Sequence, residues 1–121
     1  ERRKFTDAVV VEKRELDGHF QRKLKGAKES FLSKAMFRHT GGDYYIPFRC
    51  LYSRNLTNLM MAGRCFSCTH IGLGGPRVMN TCGQMGIATG YAAALCNKYD
   101  ASPREIGKSH IAELRSLIGF V

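Results

Sequence analysis

The feature that most constrains the fold is the segment RVMNTCGQMGIATGYAAAL at Arg77–Leu95, which ends like a good helix and begins like a poor one. On a period of about 3.6 residues per turn, one stripe of such a helix carries almost no side chains. The stripe consists of Gly83, Gly86, Gly90, Ala93 and Ala94. Each interior glycine costs about 0.8–1 kcal/mol relative to alanine. We therefore expect a helix over about 78–98 with a face that another group approaches closely.

Two kinds of group fit this glycine face. A packed strand or second helix would explain Gly90 and the alanines, since small residues let backbones approach. The start of the helix differs, because it follows a glycine-rich loop and carries Arg77 and Thr81. Its free backbone N–H groups together bear about half a positive charge. This end favours an anion, either a phosphate or the electron-rich edge of a reduced cofactor.

Length and composition favour a single unit. A chain of 121 residues with 44% hydrophobic content suffices for one core. No run approaches the roughly 20 apolar residues of a membrane span, so no membrane partner is expected. The first residue is Glu1, with no signal-peptide pattern after it, which predicts a piece of a longer protein. Five cysteines without regular spacing favour reduced thiols and a reducing compartment such as the cytoplasm.

The formal net charge is +9, and eleven of the nineteen lysines and arginines precede Gly41. A basic nucleic-acid-binding domain is one interpretation of this region. However, acidic residues are interspersed and no alternation of aromatic and basic residues occurs. A charged helix face explains the pattern as well, and we expect no nucleic-acid partner.

Strands are predicted in the first half of the chain. Ala8–Val11 is a short β-branched run, Tyr44–Tyr52 reads as an edge or irregular strand because of Pro47, and Leu59–Gly63 is typical of a buried strand. Between the first two, His19–Arg38 has apolar residues at three- and four-residue spacing, which predicts an amphipathic helix. These residues are Phe20, Leu24, Ala27, Phe31 and Ala35.

The end of the chain carries helix signals. Ser102, Pro103 and Glu105 form an N-cap, a first-turn proline and a capping box. Gly107 is expected to end that turn, and Ser109 to cap a last helix that closes before a glycine. The elements together predict an α/β chain, an α+β fragment with a few strands, a long glycine-rich helix and C-terminal helices.

The order of motifs in the second half carries a resemblance. YIPFRCL at 45–51, NLMMAGRC at 58–65, TH at 69–70, RVM at 77–79, TC at 81–82 and GIATGYAAA at 86–94 follow in turn. This order resembles the C-terminal part of a bacterial family of FAD-dependent oxidoreductases of the glutathione-reductase type, often labelled xanthan lyases. The similarity is nearly gap-free from Asp43 to about Glu105. It is weaker over 1–17, and 18–42 shows no correspondence.

The resemblance implies a division of the chain. Residues 1–42 would be the end of an inserted substrate domain with the basic helix, and 43–121 the C-terminal portion of a Rossmann-like FAD-binding domain. Leu59–Gly63 would be the strand that returns to it. No G-x-G-x-x-G turn is present, so the chain alone is not expected to hold FAD tightly. The expected partners are the missing N-terminal Rossmann portion and an unknown small-molecule substrate, with self-association of the fragment through exposed apolar surface.

Site residues follow from the same resemblance. The implied cofactor-binding residues are Gly63, Arg64, Arg77, Thr81, Cys82, Gly83 and Gly86. Arg64 stands where the broader superfamily has an acidic residue, and Thr81, Cys82 and Gly83 would face the flavin ring. His70, in the adjacent loop, is the candidate catalytic residue that orients substrate or relays a proton. A loop histidine bonded to backbone is the alternative.

Cys65 and Cys68 form a CxxC pair, which could be a redox dithiol or half of a zinc site. No second CxxC follows, and we predict no metal. The sequence thus favours a C-terminal piece of an FAD-dependent oxidoreductase, inactive when isolated. A non-catalytic interaction module and a basic nucleic-acid-binding domain remain the alternatives.

Overall fold

The computed structural model describes residues 5–22, 32–39 and 41–120. Within these ranges four strands precede three helices. They are β1 (Ala8–Glu12), β2 (Leu16–Arg22), β3 (Leu32–Arg38), β4 (Tyr44–Pro47), α1 (Met79–Tyr99), α2 (Pro103–Ser109) and α3 (Ile111–Leu117), with short 3-10 turns at Phe48–Cys50 and Gly63–Cys65. The predicted mixed α/β class is confirmed.

Strands β1 and β4 form an antiparallel pair with an irregularity between Ala8 and Val10. Val9 and Val10 are buried. β4 is shorter than the predicted extended segment, because the chain leaves the strand at Pro47 and turns. The N–H of Phe48 donates to the carbonyl of Asp7 at 2.7 Å and closes the pair.

The second sheet corrects the prediction of an amphipathic helix at His19–Arg38. β2 and β3 instead form an antiparallel hairpin with register from Leu16 opposite Arg38 to Arg22 opposite Leu32. Backbone pairing between the two halves satisfies the N–H and C=O groups that a helix would have satisfied locally. The apolar spacing within β2 and β3 therefore does not mark a helix. Residues 23–31 lie outside the described part.

Helix α1 supplies one wall of the core. Its buried residues are Thr81, Met85, Ala88, Ala92 and Leu95. The apolar members pack with Val9, Val10, Ile46, Phe48, Leu51, Phe66, Ile106 and Leu114. The prediction of a helix over about 78–98 is confirmed to within a residue at each end.

Helix α2 starts as predicted. The hydroxyl of Ser102 accepts from the N–H of Glu105, and the Glu105 carboxylate accepts from the N–H of Ser102 at 2.7 Å. Its end is later than expected, because Gly107 lies inside the helix, where a Cβ would come within 3.1 Å of Phe48. The cap of α3 is His110, without a side-chain bond, and not Ser109.

The predicted strand at Leu59–Gly63 is wrong. Met60 makes only an isolated bridge with Tyr52, and the N–H of Met61 donates to the carbonyl of Leu51 at 2.8 Å. Leu59 is 39% exposed. Among the described residues, 59–63 pairs with other backbone along one edge only, whereas a strand in the centre of a sheet pairs along both edges.

No helix in the described ranges is both long and apolar enough to cross a membrane.

Candidate functional site

The start of α1 is an uncapped helix end. Val78, the N-cap residue, is extended and offers no side-chain hydrogen bond, and the first turn contains no acidic residue. The first intrahelical bond runs from the N–H of Cys82 to the carbonyl of Val78 at 3.0 Å. The N–H groups before it therefore keep their donor capacity, and the helix dipole places partial positive charge there.

Thr81 ties this helix start to strand β1. Its buried hydroxyl donates to Glu12 Oε2. The other carboxylate oxygen of Glu12 accepts from the N–H groups of Lys13 and Arg14 at 2.8 and 2.7 Å. The Thr81 side chain is thus engaged within the protein, and the residue as a whole is buried, with 1% of its surface exposed.

Arg77 ties the loop before α1 to strand β2. Its guanidinium forms an ion pair with Asp17 at 2.8 Å and also donates to the Asp17 carbonyl at 3.4 Å. Both side chains are about 30% exposed, at 31% and 30%. Arg77 therefore lies at the predicted site while its charge is offset by a carboxylate.

Gly63 and Cys82 bring the second 3-10 turn against the helix start. Gly63 has φ +65°, and a Cβ on it would lie 3.7 Å from Cys82 Cβ. The Cys82 thiol donates to the Pro76 carbonyl at 3.7 Å. Arg64, the next residue, is exposed. The positive φ explains why glycine stands before the arginine.

Gly83 and Gly86 lie on the opposite side of α1 from the core. A Cβ at either position would meet nothing within 4 Å, and the same holds for Gly90. The structure thus assembles Gly63, Arg64, Arg77, Thr81 and Cys82 around the helix start, with an open glycine face running away from it.

His70 lies exposed in the loop between the turn and α1. It is not among the described residues that line the cavity discussed below. The structure therefore places it in the predicted loop without grouping it with the residues at the helix start.

The glycines of that loop have a packing cause. A Cβ on Gly74 would lie 2.8 Å from the carbonyl oxygen of Asp17, and one on Gly75 would collide with the hydroxyl of Tyr44. The Asp17 N–H also donates to the Gly74 carbonyl at 3.3 Å. Burial, reinforced by nearby Glu12, raises the pKa of Tyr44 to about 12. The loop is thus pressed against both sheets.

A cavity of about 390 Å³ opens between the hairpin and the start of α1. Its lining combines residues from both ends of the chain: Arg14, Glu15, Asp17, Phe37, Arg64, Gly74, Arg77 and Val78. The first four escaped sequence reasoning. The residues that they meet in this lining lie 27 to 64 positions further along the chain, and no local sequence pattern predicts such a contact.

The cysteines are free thiols. Cys65 and Cys68 are exposed residues. Partial burial of the Cys68 thiol and deeper burial of the Cys50 thiol each raise the pKa of that thiol. Those two thiols are therefore protonated near neutral pH. Within the described ranges no group of three or more histidines, cysteines and carboxylates could hold a metal ion.

Comparison with known proteins identifies the family. A model described as FAD dependent oxidoreductase matches residues 1–118, which includes the hairpin region where the motif resemblance had no counterpart. No curated protein matches the chain, and no solved structure matches it. Because the match spans nearly all of its length, this chain belongs to the FAD-dependent oxidoreductase family.

Proposed function

We propose that this chain is the C-terminal part of an FAD-dependent oxidoreductase and completes the flavin site through the start of α1. One observation carries the proposal: the helix begins without a cap, and its glycine face meets nothing within 4 Å. Glycines in a helix interior cost stability. An unfilled face made of them is explained when something outside the described residues covers it.

The residues at the helix start fit a flavin. The free N–H groups that precede the bond from Cys82 to Val78 would face the ring, with Thr81, Cys82 and Gly83 as the helix residues beside it, and Gly86 would extend the surface without side chains. Gly63 and the backbone of Arg64, on the adjoining turn, would lie along the ribityl and phosphate part. Arg77 would contribute through position, since its charge is paired with Asp17.

FAD, when bound, supplies the electron acceptor of the oxidation. The chain supplies fixed donors: N–H groups aimed from a helix end stabilise negative charge at the site without reorganisation. The bond between Thr81 and Glu12 holds that end against β1. His70 would orient the substrate or relay a proton, which its exposure allows.

The phosphate-binding half of the site lies elsewhere in this proposal. The glycine-rich turn at Ile71–Pro76 is occupied by packing against Asp17 and Tyr44, so it does not act as a phosphate loop. The expected partner is an N-terminal Rossmann portion of the same protein. We also propose the finer kinship with the glutathione-reductase type on the motif order given above.

The test uses flavin absorbance and thermal shift with added FAD. The chain is measured alone and then joined to the sequence that precedes it in its gene. Yellow colour and stabilisation only in the longer protein would support the proposal. Their absence in both would overturn it and favour the non-catalytic interaction module.

The isolated chain gives a second readout. Exposed Leu59 and the open face of α1 are apolar surface that a partner would cover. We expect the chain alone to self-associate, measured by sedimentation over a range of concentrations. A monodisperse monomer at high concentration would count against a missing partner.

A further inference from the structure

The cavity at the start of α1 has walls from four separated segments. They are the stretch 14–17, which runs from the link after β1 into β2, then strand β3, the Gly63–Cys65 turn and the loop that enters α1. Small-molecule sites are concave pockets of roughly 300–1,000 Å³, and the volume of this cavity, about 390 Å³, is near the lower end of that range. The space therefore suits a small ligand.

The lining is electropositive. Three arginines face two carboxylates, an excess of one positive charge. Both carboxylates have partners within the chain. Asp17 forms an ion pair with Arg77, and Glu15 Oε1 lies 2.5 Å from His39 Nδ1.

Arg14 and Arg64 differ from these groups. Within the described ranges neither guanidinium has a hydrogen bond or an ion pair. They come from segments fifty residues apart and line the same cavity. Guanidinium groups recognise carboxylates and phosphates through paired N–H donors.

One part of the lining is apolar. Phe37 on β3 is 64% exposed, and Val78 adds a second apolar wall. An exposed aromatic ring at the rim of a charged cavity gives a flat surface on which an apolar group can pack. The ligand that fits both features has a charged end and an apolar body.

We propose that this cavity binds a small organic carboxylate, with its anionic group between Arg14 and Arg64 and its apolar body against Phe37. The inference rests on the proposed function, because the cavity adjoins the helix start assigned to the flavin. It names the substrate class of the enzyme as an organic acid.

The probes are benzoate and its uncharged isostere benzamide, titrated into the chain and followed by amide chemical shifts. We expect saturable shifts near Arg14 and Val78 with benzoate and none with benzamide. Arg14→Gln and Arg64→Gln should each weaken benzoate by about tenfold or more, as for loss of one charge-assisted bond. Arg54→Gln, an exposed arginine that does not line this cavity, is the matched control and should leave affinity unchanged.

Three outcomes would overturn the inference: benzamide binds as well as benzoate, Arg54→Gln weakens benzoate as much as Arg14→Gln, or no probe gives saturable shifts. Binding of inorganic phosphate without benzoate would contradict the substrate class. The dispersed amide spectrum of each variant reports whether it folds. FAD is titrated separately into the longer protein, so benzoate binding by the chain together with no flavin binding by the longer protein would refute the cofactor role alone.

Discussion

The two sides of helix α1 differ in how far they are buried. On one side Met85, Ala88 and Ala92 have no exposed surface and pack against β1 and the later helices. On the other side Met79 is 91% exposed, and the glycines meet nothing within 4 Å. One face of the helix is therefore fully packed within the described residues, and the opposite face is open to solvent.

The two helix starts repeat this difference. α2 begins with a complete capping box, whereas α1 begins with Val78 and no side-chain cap. The Ser102 and Glu105 side chains cap the start of α2, whereas no side chain among the described residues caps the start of α1. The comparison teaches that the open end and the open face of α1 form one continuous surface, which a partner would cover in the function proposed above.

The largest effect is expected when one methionine on each side of α1 is replaced by alanine. Met85→Ala removes a fully buried side chain and should lower the free energy of unfolding by about 2–5 kcal/mol. Met79→Ala should change it by less than about 0.5 kcal/mol, because that side chain is exposed. Urea unfolding measures both, and equal losses would show that the open side is already packed.

The loop before α1 gives the next effect. Gly74→Ala places a methyl 2.8 Å from the backbone of Asp17, so strain should cost about 1–3 kcal/mol of unfolding free energy. Gly83→Ala, with open space around it, is the control and should not destabilise the chain. Thermal unfolding compares them, and a neutral Gly74→Ala would remove the packing reason for this glycine.

The capped helix start should respond to loss of its cap. Ser102→Ala deletes the acceptor for the N–H of Glu105 and should cost about 1 kcal/mol of unfolding free energy. Ser109→Ala, at the position wrongly predicted to cap α3, should cost less, since it makes no cap bond there. Equal costs would contradict the difference between the two positions.

The smallest effect is a pH dependence. Hydrogen bonds from the Ser102 hydroxyl and N–H hold the pKa of Glu105 below its usual value of 4.5. Because the folded pKa is the lower one, this stabilisation is present above pH 4.5 and is lost as the pH falls through the folded pKa. Unfolding free energy measured from pH 6 down to about pH 3 should therefore fall less in Glu105→Gln than in the parent chain. Parallel curves would contradict it.

Local patterns predicted part of this structure well. The β-branched run gave β1, the helix over about 78–98 was found, and Ser102 with Glu105 marked the start of α2. These signals depend on groups a few residues apart. Predictions failed at the hairpin and at Leu59–Gly63, where pairing with distant chain decides the outcome.

Sequence reasoning pointed only to the part of the candidate site at the start of α1 and on the adjoining turn. Motif order singled out Gly63 and Thr81, and the structure places Gly63 in the turn beside Cys82 and Thr81 in the first turn of α1, while their role at a flavin stays a prediction. Arg14, Glu12 and Phe37 were missed, because Phe37 lies in the hairpin mistaken for a helix and the other two meet residues 50 or more positions away along the chain. Long-range register is what a single sequence leaves undetermined.

The most direct test replaces glycine by alanine at Gly86 and Gly90. In the chain alone the double variant should raise the free energy of unfolding by about 1.5–2 kcal/mol, because alanine favours a helix and nothing obstructs the methyl groups. In the longer protein the same change should reduce retention of FAD, since the face is needed by its partner. Ser116→Ala, on an exposed position of α3, is a stabilising control that should leave retention unchanged. A destabilised chain, or a stabilised chain with full FAD retention, would contradict the role of the open face.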